Sequence, residues 1–427
     1  MYIPRKRQFW SVAVGHLTND IFMSAGIVVL TFLSATILPM SNTQIGFAVS
    51  MQQLSGAFTQ PFFGLRADKT GGRGIGAGGL AWVVVSFLLA ILLAITTRNY
   101  WLMLIPFVLQ GIGSGALHPV GALHASDSEP ERAATSTAYF FLMGQVGLAV
   151  GPTLVGLLLD GANVGSLVAY GDWFGFPAGD SFNANLLPLF VMGIFAIPSI
   201  IFMFGGIPIK KQLQDDLSLS DVSKQKAKKA ARRVTSWTPF LVIGLLVILR
   251  GLAQPGSVNF IPVLFQQKGW TASQYGAITS SFWIASAIMG VVFGNLADKY
   301  DRRYVVLASL SLSAPAYFFL PILNGAGAFA LAIIAGGLSG GSHSIIVVLA
   351  QELIPDSKGF ASGAILGFIF GTGALGSLVI GVVSDQIGLA ATFQFVAVAV
   401  FMAGFIALFL PKRAIVSDVD ANQDIVE

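Results

Sequence analysis

Gly64-Leu65-Arg66-Ala67-Asp68-Lys69-Thr70-Gly71-Gly72-Arg73 returns 230 residues later as Gly294-Asn295-Leu296-Ala297-Asp298-Lys299-Tyr300-Asp301-Arg302-Arg303. Each copy is a short acidic and basic connection between two long apolar runs. Two further patterns repeat at an offset of 225: Gly111-x-x-Ser114-Gly115-x-x-His118 recurs as Gly336-x-x-Ser339-Gly340-x-x-His343, and the Gly151, Gly156 and Asp160 of Gly147-x-x-x-Gly151-Pro152-x-x-x-Gly156-x-x-x-Asp160 recur as Gly376, Gly381 and Asp385. Three matches in nearly constant register indicate a duplicated unit.

The runs between these connections identify the solvent. Of the 427 residues 55% are hydrophobic and only 10% charged, far below the roughly 25% charged residues of a water-soluble domain. Apolar stretches of about 20 residues are membrane-spanning helices, and they are expected at 9–38, 44–64, 74–97, 101–125, 134–160, 184–207, 238–262, 273–294, 304–324, 328–352, 359–386 and 391–410. The class is therefore an all-α membrane protein, with twelve transmembrane helices in two pseudo-symmetric six-helix bundles. A transmembrane barrel would show short alternating segments instead. With no cysteine, disulfides, thiolate metal sites and cysteine nucleophiles are excluded. No cleavable signal peptide is expected, because Arg5-Lys6-Arg7 precedes a full-length apolar run.

Charge placement sets orientation. Of the 24 lysines and arginines, 21 fall at the N-terminus or in loops on its side, leaving Arg98 and Lys268 opposite and Arg250 inside a span. Both termini are therefore expected in the cytoplasm, in a bacterial inner membrane. The organisation reads as an N-terminal bundle over 1–207, a cytoplasmic linker over 208–237, a C-terminal bundle over 238–413 and a cytoplasmic tail over 414–427. The linker carries Asp215, Asp216 and Asp221 ahead of the basic run Lys224–Arg233, a topology anchor that meets anionic lipid. The 161–183 loop, with Asp172-Trp173-Phe174, is expected on the outside. The net charge of +4 is thus a membrane matter, and no nucleic-acid partner is expected.

The repeated connection resembles the Gly-x-x-x-Asp-(Arg/Lys)-x-Gly-(Arg/Lys)-(Arg/Lys) signature that the major facilitator superfamily carries between helices 2 and 3 and again between helices 8 and 9. The first copy departs at Gly72, where a base is usual, and the second at Asp301, where glycine is usual. The resemblance implies halves related by an axis along the membrane normal, with substrate near the midplane. Gly64, Asp68, Lys69, Arg73, Gly294, Asp298, Lys299, Arg302 and Arg303 then form a conformational latch, because an aspartate at a helix end accepts bonds from a neighbouring helix N-terminus or pairs with a base. Contacts made only when the cytoplasmic side is closed bias the two-state equilibrium; enforcing topology is the alternative role for the bases. The helix-5 segment Gly147, Gly151, Pro152 and Gly156 resembles the antiporter signature of drug–proton exchangers, although tight helix packing alone would also use those glycines.

Buried charges cost at least about 2.5–3.5 kcal/mol each, which makes them functional candidates. Asp20 in helix 1 and Arg250 in helix 7 stand in equivalent places, 230 apart, each roughly 17 Å deep at about 1.5 Å per residue. His118 and His343 reach comparable depth, so all four are expected to face one cavity. Asp20, His118 and His343 are the proton-coupling candidates. His16, Asn19, Arg250, Gln254, Gln52 and Gln145 are the substrate-binding candidates. Packing is the alternative role for each of them, and for His124 and Glu352 it is the favoured one. Asp160 and Asp385, at outer helix ends where solvation is cheap, are not assigned a role.

His16-Leu17-Thr18-Asn19-Asp20 and Leu117-His118-Pro119 are similar to the corresponding segments of fosmidomycin-resistance transporters. The resemblance implies proton-driven export of a small polar or amphipathic compound by a protein working as a monomer. Two directions stay open. An anion on Arg250 would release Asp20 to protonate, which favours uptake by symport; a cation on Asp20 would displace the proton, which favours antiport. No cofactor or metal is expected. Nor is an enzyme, since no phosphate loop or nucleophile–base set is present. A non-transporting membrane sensor is disfavoured by the two intact latch loops.

Overall fold

The computed structural model describes residues 3–160, 186, 188–208, 237–353 and 358–411. The expectations for the 161–183 loop, the interior of the linker and the tail lie outside the described residues. The first bundle comprises α1 (Arg7–Ala35), α2 (Asn42–Thr70), α3 (Arg73–Thr97), α4 (Tyr100–Ser128), α5 (Ala133–Asp160) and α6 (Pro188–Gly206). The second comprises α7, beginning as Thr238–Gly251, then α8 (Ala272–Lys299), α9 (Arg302–Phe319), α10 (Gly325–Leu353) and the Lys358–Ile406 run. That run breaks at Gly388, φ 81°, into α11 before it and α12 after it, a conformation only glycine adopts at no steric cost.

Among the described residues nine helical stretches are long and apolar enough to cross a bilayer, the joined α11–α12 run being one of them; α2 and α9 are more polar and fall outside that set. Large apolar side chains such as Phe58, Phe195 and Leu241 stand more than 70% exposed. In water such a surface would drive association; here it faces lipid. Polar groups turn inward.

Both departures from the loop signature have local causes. Gly71 and Gly72 are consecutive left-handed residues at φ 79° and 73°, so the α2–α3 connection turns in two residues and a side chain at 72 would be strained. Between α8 and α9 the chain is extended at Tyr300, and Asp301 accepts from the Arg303 N–H at 3.0 Å, capping α9.

The α7 span, expected to be continuous over 238–262, is broken. After Gly251 comes one π-turn, Leu252–Gly256, then a 3-10 turn, Ser257–Phe260, and a final helical piece, Ile261–Gln267. Gln254 leaves helical geometry at φ −146°, ψ 119°, where Pro255 removes a donor and Gly256 follows. Non-helical backbone at membrane depth is tolerated only inside protein or along a cavity, so this break marks the working interior.

The bundles meet along two helix pairs, α5 with α8 and α2 with α11. On the face away from the termini (the far face), backbones touch. A Cβ on Gly156 would overlap the Ala272 carbonyl, one on Gly276 the Pro152 carbonyl, one on Gly381 the Asn42 carbonyl, and one on Gly46 the Ser377 carbonyl. Towards the terminal face, α5 and α8 flank a cavity of about 580 Å³ lined by Leu142, Gln145, Val146, Ile284 and Val291 among others. The molecule is thus sealed on the far face and parted between α5 and α8 nearer the terminal face.

Candidate transport site

In the first bundle, His16 and Asp20 lie one helical turn apart on α1, with His16 Nε2 3.3 Å from Asp20 Oδ2. His118 arrives from α4 with Nε2 4.0 Å from Asp20 Oδ1. Each imidazole is anchored through its other nitrogen: His16 Nδ1 to the Phe140 carbonyl at 2.9 Å and His118 Nδ1 to the Ser114 carbonyl at 2.8 Å. A carbonyl only accepts, so Nδ1 carries the hydrogen in both rings, and a neutral ring then offers a bare Nε2. Two lone pairs and a carboxylate converge. Such a set repels itself until it holds a cation, and the smallest cation that fits is a proton shared with Asp20.

The cage is tightly walled. The Phe140 ring stacks on His16 at 4.2 Å between centroids. Asn19 Nδ2 donates to Asp20 Oδ1 at 2.7 Å and to Ser114 Oγ at 3.2 Å. Asn19 Oδ1 is buried without a hydrogen-bond partner among the described residues, an acceptor available to a substrate N–H or O–H. A Cβ on Gly144 would collide with the His16 ring and sit 2.7 Å from Asp20 Oδ2, and one on Gly147 would sit 2.9 Å from Asp20 Cβ. Gly151 meets the Ile21 carbonyl in the same way. The helix-5 glycines therefore press α5 onto the charged turn of α1. Gly144 was not singled out from sequence, though its spacing of three before Gly147 extends the same face.

In the second bundle Arg250 is 1% exposed. Its Nε donates to Ser342 Oγ at 2.7 Å, Nη1 to the Gln254 carbonyl at 3.3 Å and Nη2 to Gln254 Oε1 at 3.0 Å. The α7 break supplies the geometry, because a carbonyl released from the helical ladder turns back to the guanidinium. Gln254 Nε2 donates onward to Ser286 Oγ at 2.9 Å. Three of the five guanidinium N–H groups are engaged, none by a carboxylate among the described residues. His343 directly follows Ser342, the acceptor of the Arg250 Nε bond. Each half thus holds one charged residue and one repeat-related histidine together.

The expected partnership of Asp20 with Arg250 is not formed. α1 packs against the far-face end of α7, Ile261–Gln267, and each charged group finds its hydrogen-bond partners inside its own bundle. Gln52 is 3% exposed and donates to Gln110 Oε1 at 2.6 Å, tying α2 to α4. Gln145 lines the cavity between α5 and α8. His124 is held at both ring nitrogens, by Gln8 Nε2 at 3.0 Å and the Gly71 carbonyl at 2.7 Å, a packing role. Glu352 lies where side chains are not described.

Of the latch residues, Asp68, Lys69, Asp298 and Lys299 are exposed on the terminal face. Gly64 approaches Pro119 of α4. Arg73 Nε donates to the Phe204 carbonyl and its guanidinium lies 4.3 Å from the Phe204 ring. Arg303 pairs with Asp301 at 2.6 Å, and Arg302 is buried. Gly294 lies within α8, one turn before Asp298. Pro152 and Gly156 belong to the contact with α8, while Gly147 and Gly151 belong to the contact with α1.

Comparison with known proteins agrees with the fold. The Major Facilitator Superfamily profile matches residues 12–257 and 243–424. The fosmidomycin resistance protein of Escherichia coli is 24% identical over 418 residues, covering 94% of this chain and 92% of that protein. Among solved structures, a bacterial homologue of the lysosomal transporter Spinster superposes with a TM-score of 0.73 at 15% identity, covering 94% of this chain and 96% of its own. The xylose transporter of Escherichia coli does so at 0.72 and 12% identity, covering 95% and 96%.

Proposed function

The chain belongs to the Major Facilitator Superfamily, and from that premise we propose that it is a proton-coupled secondary transporter exporting a small polar or amphipathic organic compound. It is not an enzyme; it is a multi-pass membrane transporter of small molecules. In this reading it works as a monomer in the bacterial inner membrane, with both termini in the cytoplasm. The proton sits in the His16–Asp20–His118 cage. The substrate spans from Asn19 and the cage to the Arg250 guanidinium, with His343 beside it. Alternating access carries one occupant outward and the other inward.

The observation that carries the proposal is the cage: three proton acceptors, two with their tautomers set by backbone carbonyls, converging at membrane depth. A group placed on Asn19 Oδ1 and against Asp20 competes with the proton for the same small volume, and competition for one site is what exchange requires. The 24% identity to a fosmidomycin resistance protein and the helix-5 glycines packed on Asp20 favour export.

A second reading has its own observation. Arg250 has no acidic partner among the described residues, so an organic anion is a natural counter-charge. With Asp20 caged elsewhere, an anion on Arg250 does not have to release Asp20. Proton and anion then bind together, as in uptake by symport. Purified protein in liposomes with an imposed pH gradient, offered anionic, zwitterionic and cationic compounds, separates the two. Substrate entry that drives protons out supports exchange, and substrate and proton moving together supports symport. Substrate movement with no proton flux would overturn the proton-coupled reading.

A further inference from the structure

Two acids outside the transport site are placed alike. Asp160 ends α5 and Asp385 lies near the end of α11, both on the far face, and each carboxylate straddles the first turn of a helix from the opposite bundle. Asp160 Oδ1 accepts from the Ala272 N–H at 3.0 Å and Oδ2 from the Ser273 N–H at 2.7 Å. Asp385 Oδ1 accepts from the Asn42 N–H at 2.9 Å and Oδ2 from the Thr43 N–H at 2.8 Å. The receiving helices start alike. Ser41 N–H donates to Gln44 Oε1 at 3.0 Å and Thr271 N–H to Gln274 Oε1 at 3.0 Å, a Ser/Thr-x-x-Gln start repeated at 230 residues.

We propose that Asp160 and Asp385 are a reciprocal lock that holds the far face shut, and that both must release before the transporter opens outward. The first N–H groups of a helix have no partner within it and carry its positive end. A carboxylate with one oxygen on each of two such groups makes charge-assisted bonds that exist only while the bundles touch. Four residues before each acid, on the same face, Gly156 and Gly381 let the backbones meet; a Cβ there would overlap Ala272 and Asn42 respectively. Gly276 and Gly46 do the same from the receiving helices. Thr153 Oγ1 donates to Ser280 Oγ at 2.7 Å deeper in the α5–α8 seam. Because one bond pair crosses from the first half to the second and the other crosses back, rotation of the bundles apart strains both together. Asp160 and Asp385 are positioning residues. They touch no substrate and set the balance between the two access states.

The natural chain has no cysteine, so labels can be placed without removing any. Spin labels at Thr97→Cys and Asn324→Cys report the far face across the bundles, and labels at Thr70→Cys and Tyr300→Cys report the terminal face; all four positions are exposed. Electron–electron distance measurements are made on the full chain without substrate or gradient, so they read the lock whether or not transport is proton-coupled. The expected result for Asp160→Asn with Asp385→Asn is a roughly tenfold rise in the far-face-open population, with the terminal-face distance shortening in step. Each single variant, which keeps one lock, gives a smaller rise and decides the matter if the double variant does not fold. Unchanged far-face distances, or lengthening on both faces at once, overturns the proposal.

Discussion

Asp20 is the residue on which coupling turns. Its carboxylate is 7% exposed as a residue and faces two imidazoles, so removing its charge removes the reason for a proton to reside there. Asp20→Asn keeps the shape and can still meet Asn19 and His16. Transport driven by a pH gradient is expected to vanish in this variant, while gradient-free counterflow of labelled substrate persists. Intact gradient-driven accumulation would move the coupling role elsewhere, with His343 the next group to test. Helical spacing alone places His16 with Asp20, because i and i+4 share a face. The approach of His118 from α4 and the carbonyl anchors at Phe140 and Ser114 depend on how helices rotate against one another, which no local spacing encodes.

At the scale of the element, the break in α7 has the clearest consequence. Pro255 seats its ring on Gly373 of α11, where a Cβ would overlap both Cγ and Cδ, and the adjoining Gln254 carbonyl holds Arg250. Gly373→Ala is therefore expected to push α7 from α11 at a cost of about 1–3 kcal/mol. Thermal unfolding of the purified protein should fall by several degrees, and substrate affinity should weaken with it as Arg250 loses its seat. Unaltered melting and affinity would mean the seam yields freely. The components of the break, Gly251, Pro255 and Gly256, are plain in the sequence. An apolar run long enough to span the membrane nevertheless masks them, since proline within a membrane helix is tolerated when neighbours satisfy the freed groups.

For the whole molecule, the placement of 21 of 24 basic residues on one side predicts cytoplasmic termini. A single Lys6→Cys substitution in this cysteine-free chain should react with a membrane-impermeant maleimide in inside-out vesicles and stay unlabelled in intact cells. The reverse pattern would invert every directional statement made for the transporter. The same view of the molecule sets the terminal-face latch against the far-face lock. Asp68 and Asp298 lie at the terminal face, and Asp160 and Asp385 lie at the far face, where they cap helices of the opposite bundle.

Twelve spans and their duplication were readable from the chain alone. Each rests on patterns carried within about thirty residues, or on a repeat of them, and a bilayer leaves an apolar run of that length few structures other than a helix. Partnership was decided only in three dimensions. Asp20 and Arg250, matched by the repeat, turned out to be served each within its own bundle. Asp160 and Asp385, set aside as solvated helix ends, reach across to the opposite one. Which helix a side chain meets depends on the rotation, register and tilt of packed helices, and those follow from glycine contacts summed over both bundles, not from any one stretch of sequence.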